Sequence, residues 1–197
     1  DTDTTISSAI DLMLSQNVRQ GLFALEKFYA PSLNFLMVDD NEMILKTVGK
    51  MPRRSPLNQS QGRMPSLGWK PENNWRGFWG YEVNPVILSS PGDILGNTNN
   101  KISDAKFPKH VSHFWGDTQR ILRWQKLMQN REVHTRESFI EVQLDTVSPT
   151  ARALLPLIGS ELWYSQPRGE AGSTERLRFE AISMLADWNG EMSEHLP

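Results

Sequence analysis

The stretch from Gly49 to Asn100 constrains this chain most: it is rich in Pro, Gly, Asn and Ser, yet it carries Trp69, Trp75 and Trp79. Turn-forming residues suit either a disordered linker or an ordered excursion. Tryptophans this frequent are unusual in disorder, so the stretch is expected to be ordered and wrapped over another surface. Short strands are expected near Phe78 to Val83 and Val86 to Ser89.

Regular elements flank it. Thr4-Thr5 opens a segment in which Ile6, Ile10, Met13 and Leu14 share a helical face. Asn17 then caps a second helix, with Gln20 three residues on, and Val18, Leu22, Leu25, Phe28 and Tyr29 recur until Pro31 stops the run. The two helices are expected to form a hairpin. Leu33 to Val38 and Met43 to Val48 are apolar runs separated by Asp39-Asp40-Asn41-Glu42, which reads as a β-hairpin with a solvated turn. Beyond the excursion the pattern is helical. Asp117 can cap a helix carrying Ile121, Trp124, Leu127 and Met128, and Thr135 another with Phe139, Ile140 and Val142. Ser148-Pro149 starts a helix through Ala151 to Ile158, with Gly159 as its stop, and Ser173-Thr174 leads a last one that ends at Asn189-Gly190. The domain division predicted is 1–116 and 117–197.

The chain has 197 residues, 38% of them hydrophobic, enough to bury a core. Lys+Arg 21 against Asp+Glu 23 leaves a net charge of -2, without the basic excess that drives binding to nucleic acid or anionic lipid. No apolar run is long enough to span a bilayer. The chain holds no cysteine, which excludes disulfides, thiol catalysis and thiolate metal sites. It begins at Asp1 rather than Met, so it is expected to start at a processing site or inside a longer protein.

Common catalytic signatures are missing: no Gly-x-Ser-x-Gly elbow, no phosphate-cradling loop and no His-Glu-x-x-His helix. His110 and His113 could share a helical face, but without a third ligand nearby they read as polar surface residues. Asn58-Gln59-Ser60 is a glycosylation sequon of a kind that arises often by chance. One chemical candidate remains, Gly96-Asn97-Thr98-Asn99-Asn100. It is either an Asn-rich turn or a place where one carboxamide aims its N–H at a developing oxyanion, and residue chemistry alone does not choose.

A resemblance becomes specific when the motifs are taken in order. Tyr29-Ala30-Pro31-Ser32-Leu33-Asn34-Phe35, Val38-Asp39-Asp40-Asn41-Glu42-Met43-Ile44 and Gly49-Lys50-Met51-Pro52-Arg53-Arg54 resemble the strand pair of the penicillin acylase β-chain. Trp75-Arg76-Gly77, Tyr81-Glu82-Val83-Asn84-Pro85, Ser90-Pro91-Gly92 and Asn99-Asn100 follow that family's order. So do Phe114-Trp115-Gly116 with Arg120-Ile121, Gln143-Leu144-Asp145-Thr146-Val147-Ser148, Ala153-Leu154-Leu155-Pro156 and Trp188-Asn189-Gly190. Each motif is weak by itself, but the series covers roughly residues 25 to 190.

The resemblance implies an internal segment of the β-chain of an autocatalytically processed amidohydrolase. Its nucleophile would be an N-terminal Ser, with the α-amine as base, and this segment does not hold that residue. It implies an α+β fold, a fragment of the αββα sandwich of N-terminal-nucleophile (Ntn) hydrolases, plus a helical subdomain. It places Asn99 as second oxyanion donor and Arg120 as its support. One extra residue after Gly92, relative to the family pattern, leaves Asn97 and Asn100 as alternatives to Asn99. Trp75, Trp79 and Trp115 are candidates for the substrate wall, against core packing as the bland use. No cofactor is expected. Some members bind calcium, but Lys109-His110-Val111-Ser112-His113 stands where the family's Asp ligand would lie, so no metal ligand is evident. Expected partners are the rest of the β-chain, the α-chain and a small amide, with a periplasmic or extracellular location. Exposed sheet edges would favour a homodimer of the isolated segment. The rival reading is a non-catalytic binding or structural module that kept the fold. A Ser, Thr or Cys at the expected upstream cleavage junction separates the two.

Overall fold

The computed structural model describes residues 3–89, 92–105, 111–116, 118–164 and 166–196. The chain divides into two compact units, Asp1–Gly116 and Asp117–Pro197.

The first unit opens with the expected helical hairpin, α1 (Thr5–Met13) and α2 (Val18–Leu25). Asn17 caps α2 by accepting from the Gln20 amide at 2.9 Å, satisfying one of the N–H groups that a helix start leaves unpaired. The Gln20 side chain reaches back one residue further than a capping box would, to the Gln16 amide. The hairpin is closed by Ser8, buried, whose Oγ donates to the Ala24 carbonyl at 2.7 Å. The apolar face read for α1 is not buried: Ile6, Ile10, Met13 and Leu14 are all exposed.

β1 (Leu33–Val38) and β2 (Met43–Val48) pair antiparallel, Leu33 opposite Val48 and Val38 opposite Met43, as the two apolar runs predict. β5 (Val86–Leu88) adds to the far side of β2, so the sheet order is β1-β2-β5 and β2 is central. One face of the hairpin packs on α2 around Leu25, Phe28 and Val48, with Phe35, Met37 and Tyr81 against them. Gly49 ends β2 with φ +101°, and a Cβ there would meet the Ser32 Cα at 2.9 Å, so only glycine fits.

Among the described residues the excursion from Gly49 is ordered. β3 (Pro52–Arg54) pairs with β4 (Trp75–Phe78) as a separate two-stranded ribbon. The strand expected at Phe78 to Val83 is therefore displaced, because Tyr81–Val83 forms a 3-10 turn. Lys46 explains why: buried on β2, it donates from Nζ to the Tyr81 and Asn84 carbonyls at 3.1 and 2.8 Å and sits 4.4 Å from the Tyr81 ring centre. Those carbonyls are drawn to the ammonium instead of a ladder, and burial lowers the lysine pKa. Asn58 is buried and bonded within its own turn, so the sequon is not presented. The hairpin turn does more than face solvent. Asp39 accepts from the Asn41 and Glu42 amides and, at 2.9 Å, from the Val18 amide at the start of α2. The bond from Val18 is the chief reason its carboxyl is held low.

The second unit is helical: α3 (Gln119–Gln129), α4 (Arg136–Gln143), α5 (Pro149–Leu154), α6 (Gly159–Trp163) and α7 (Thr174–Asp187). Thr135, Ser148 and Ser173 cap α4, α5 and α7 through their side chains, as read from the sequence. Thr118 stands at the N-cap of α3 without a side-chain bond, and Asp117 lies outside the described residues. Gly159 does not stop the chain. Its backbone is right-handed helical and it opens α6 after a 3-10 turn at Leu155–Ile158, and an added Cβ there would meet the Trp163 ring at 2.8 Å. Gly190, φ +82°, returns the chain so that its carbonyl accepts from the Ser148 amide at 2.7 Å.

Candidate active site

The face of the β1–β2 hairpin that turns away from α2 carries the register pairs Asn34 with Thr47 and Leu36 with Leu45. These side chains floor an open cavity of about 580 Å³, walled by Asn97 and Asn99 from one loop and by Phe114 and Trp115 from another. The described lining holds no charged side chain. Its chemistry is neutral amides and hydroxyls among apolar surface.

The Asn loop is built by a directional chain of hydrogen bonds. Asn99 has φ +65°, a left-handed backbone that asparagine tolerates better than other non-glycine residues. Its backbone N–H donates to Asn97 Oδ1 at 3.0 Å. The same oxygen accepts from Asn34 Nδ2 at 3.3 Å, and Asn34 Oδ1 in turn accepts from the buried Thr47 hydroxyl at 2.8 Å. Asn97 Nδ2 faces Asn100 Oδ1 at 3.1 Å, while Asn100 Nδ2 donates to the Lys101 carbonyl at 3.0 Å. The carboxamides of Asn97 and Asn100 are thus consumed in holding the turn. Among the described residues that of Asn99 has no hydrogen-bond partner, and the residue is exposed at the cavity wall. The turn reading is realised by Asn97 and Asn100, whose carboxamides hold the loop.

Of the candidate aromatics, Trp115 lines the cavity, with its indole N–H donating to the Ser112 carbonyl at 3.0 Å. Trp75 and Trp79 lie outside that lining. Trp75, on β4, is 60% exposed and meets Phe78 edge-on at 6.2 Å, and the Trp79 backbone N–H donates to the Met51 carbonyl. Arg120 belongs to the second unit, exposed in the first turn of α3. His113 is half-buried rather than a surface residue, while His110 and Lys109 fall outside the described residues. Among the described residues no group of three or more His, Asp or Glu side chains is placed to hold a metal ion. Asn34 and Thr47 were missed by sequence reading, which treated both only as strand positions. The available signal was Asn34, a lone polar residue in an apolar run, whereas Thr47 stands beside Lys46 and gave none.

The fold has a solved counterpart. It matches the thermostable penicillin G acylase from Alcaligenes faecalis with a TM-score of 0.68 at 18% identity, over 97% of this chain and 33% of that one. In sequence it is 23% identical over 180 residues to the penicillin acylase 2 proenzyme of Pseudomonas sp. (strain SE83). That similarity covers 87% of this chain but 22% of the proenzyme, so the chain spans about a fifth of that relative. The model of the penicillin amidase family matches residues 1–197, and the chain belongs to that family.

Proposed function

We propose that this chain is the part of a penicillin acylase-like amidohydrolase that supplies its second oxyanion donor, the side-chain N–H of Asn99. The carrying observation is the unengaged Asn99 carboxamide on the wall of a neutral cavity, beside two asparagines whose amides are already committed. In this reading a linear amide is cleaved through an acyl-enzyme formed on an N-terminal Ser outside this chain. The terminal α-amine accepts the hydroxyl proton during attack; it titrates near pH 8, so roughly a tenth of it is free base at pH 7, far more than of a lysine. Negative charge then develops on the carbonyl oxygen. A carboxamide suits that oxygen because it stays a neutral donor at any working pH, where a carboxylate would repel the charge. The leaving amine takes the proton back, and water repeats the sequence to release the acid. Arg120 enters this reading through the family resemblance alone, as a permanently charged group with a rigid set of N–H donors suited to support such a donor. Trp115 contributes apolar wall to the substrate, while Trp75 and Trp79 lie outside the cavity lining.

The partners in this reading are the rest of the β-chain, an α-chain and a small amide. No helix among the described residues is long and apolar enough to cross a membrane, and a periplasmic or extracellular setting is part of the proposal. The test is Asn99→Ala in the assembled protein. Turnover should fall by roughly 10²- to 10³-fold with little change in ground-state binding, as for a donor used mainly in the transition state. Normal turnover in Asn99→Ala, with collapse in Asn97→Ala or Asn100→Ala, would move the role to the other asparagine.

A further inference from the structure

We infer that Asn34, on β1, is a positioning residue for the oxyanion donor, acting through Asn97 and backed by Thr47. The inference rests on the reading of Asn99 as that donor. Its argument is the polarity of the chain of bonds. A backbone N–H only donates, so the atom that Asn97 turns toward the Asn99 amide must be its oxygen. Any side chain meeting that oxygen from the sheet must also donate, and Asn34 does so with Nδ2. Its own oxygen then has to find a donor, and the Thr47 hydroxyl on β2 is that donor, directly opposite Asn34 in the ladder. The Thr47 side chain is buried, at 1% exposure, so its direction is fixed by packing.

The consequence is that the left-handed turn at Asn99 is not held by its own loop alone. Asn97 receives two donors on one oxygen, one from the turn and one from the sheet. Asn34 therefore sets the height of the loop over the hairpin, and with it the direction in which the unengaged carboxamide points. Asparagine is required at this position because it alone among similarly sized side chains offers one acceptor to Thr47 and one donor to Asn97 at once. Aspartate has the same shape but the wrong polarity: it still accepts from Thr47, yet it turns a second oxygen toward Asn97 Oδ1. A group ~1 Å out of place is costly in catalysis without being part of the chemistry.

The experiment is a double-mutant cycle of Asn34→Asp and Asn99→Ala in the assembled, processed protein, with kcat and KM measured separately. Asn34→Asp is expected to lower kcat by about tenfold with KM nearly unchanged, the loss of one well-placed hydrogen bond. In the Asn99→Ala background the same change should have almost no further effect on kcat, since the donor it orients is gone. The ratio of variant to wild-type kcat should also rise as pH falls toward the carboxylic range, about 4 for an unperturbed aspartate, because the introduced carboxyl regains a donor once it is protonated. A kcat loss that is fully additive in the cycle and flat in that pH ratio would overturn the positioning role while leaving Asn99 as donor. Near-normal kcat in Asn34→Asp would overturn it as well. If Asn99→Ala alone keeps its turnover, the underlying donor reading fails, and the inference fails with it.

Discussion

The two units of this chain close their interiors to very different degrees. In Asp1–Gly116 the side chains of Leu25, Ile44, Leu45 and Val48 are at most 2% exposed, and β2 is buried along nearly its whole length. In Asp117–Pro197 the buried hydrophobic side chains among the described residues are Ile121, Met128 and Leu162. Its longest helix, α7, has no buried residue over 14 positions, and Leu177, Met184 and Leu185 on it are 57%, 53% and 40% exposed. What separates the units is the source of order. The first is specified by pairing between distant strands around a core, whereas three helices of the second, α4, α5 and α7, are started locally by capping side chains. The loop with the candidate donor rests on the unit that closes its own core.

The largest effect should come from opening that core. Leu25→Ala removes a fully buried side chain packed on Phe28 and Val48, for which loss of transfer energy plus a cavity costs about 2–5 kcal/mol. Leu162→Ala, at a site 6% exposed in the second unit, should lie at or below the bottom of that range, since that unit buries few other apolar side chains among its described residues. Urea unfolding of the isolated chain, read by tryptophan fluorescence and by far-UV circular dichroism, measures both. Equal losses at the two sites would erase the contrast between the units.

The same contrast explains what the sequence could say in advance. Thr135, Ser148 and Ser173 were legible as caps because a cap is a contact within four residues. The β1–β2 hairpin was legible because both runs are apolar and the turn between them is short. The 3-10 turn at Tyr81–Val83 was not, since it is imposed by Lys46, 35 residues away in sequence. Gly159 was read as a stop, yet it opens α6, where its missing Cβ leaves room for the Trp163 ring. At the site, the tetrad at Asn97 to Asn100 was visible as a candidate. Asn97 is also bonded to Asn34, 63 positions away, and no local pattern encodes that bond.

A smaller effect acts in the second unit through pH. Arg123 and Asp145 form a bidentate pair in the second unit, both partly buried, with Arg123 Nε to Asp145 Oδ2 at 2.9 Å. The hydrogen bonds from Arg123 are the main reason the Asp145 carboxyl is held below its ordinary 3.8. A carboxylate with a depressed folded pKa adds stability above its unfolded value, and that stability is lost as pH falls through the folded pKa. The expected outcome is acid loosening of α3 and α4 below about pH 4. Asp145→Asn should cost about 1.5 kcal/mol near neutral pH, the lower end for a bond to a charged group because the pair is partly solvated. It should also remove that acid step. Hydrogen exchange at several pH values checks it, and an unchanged acid step in the variant would assign the loosening to other carboxylates.

The smallest effect is the sharpest test of local specification. Ser173 Oγ accepts from the Arg176 amide at 3.2 Å and is the side-chain cap of α7. If α7 in the isolated chain depends on that cap rather than on packing, Ser173→Ala should destabilise the helix by about 1 kcal/mol. Leu177→Ala, one turn further on at an exposed position, should change it by less than about 0.5 kcal/mol. The inequality follows from burial: truncating a leucine costs transfer energy only to the extent that its surface was removed from water. Amide exchange along α7 reads both variants in the same residues, so errors in global stability cancel. In the assembled protein the inequality should reverse if another segment covers the Leu177 face, because the leucine then becomes a core residue while the cap keeps its local value. A larger cost at Leu177 than at Ser173 already in the isolated chain would mean that α7 is held by packing, and the distinction between the two units would fall.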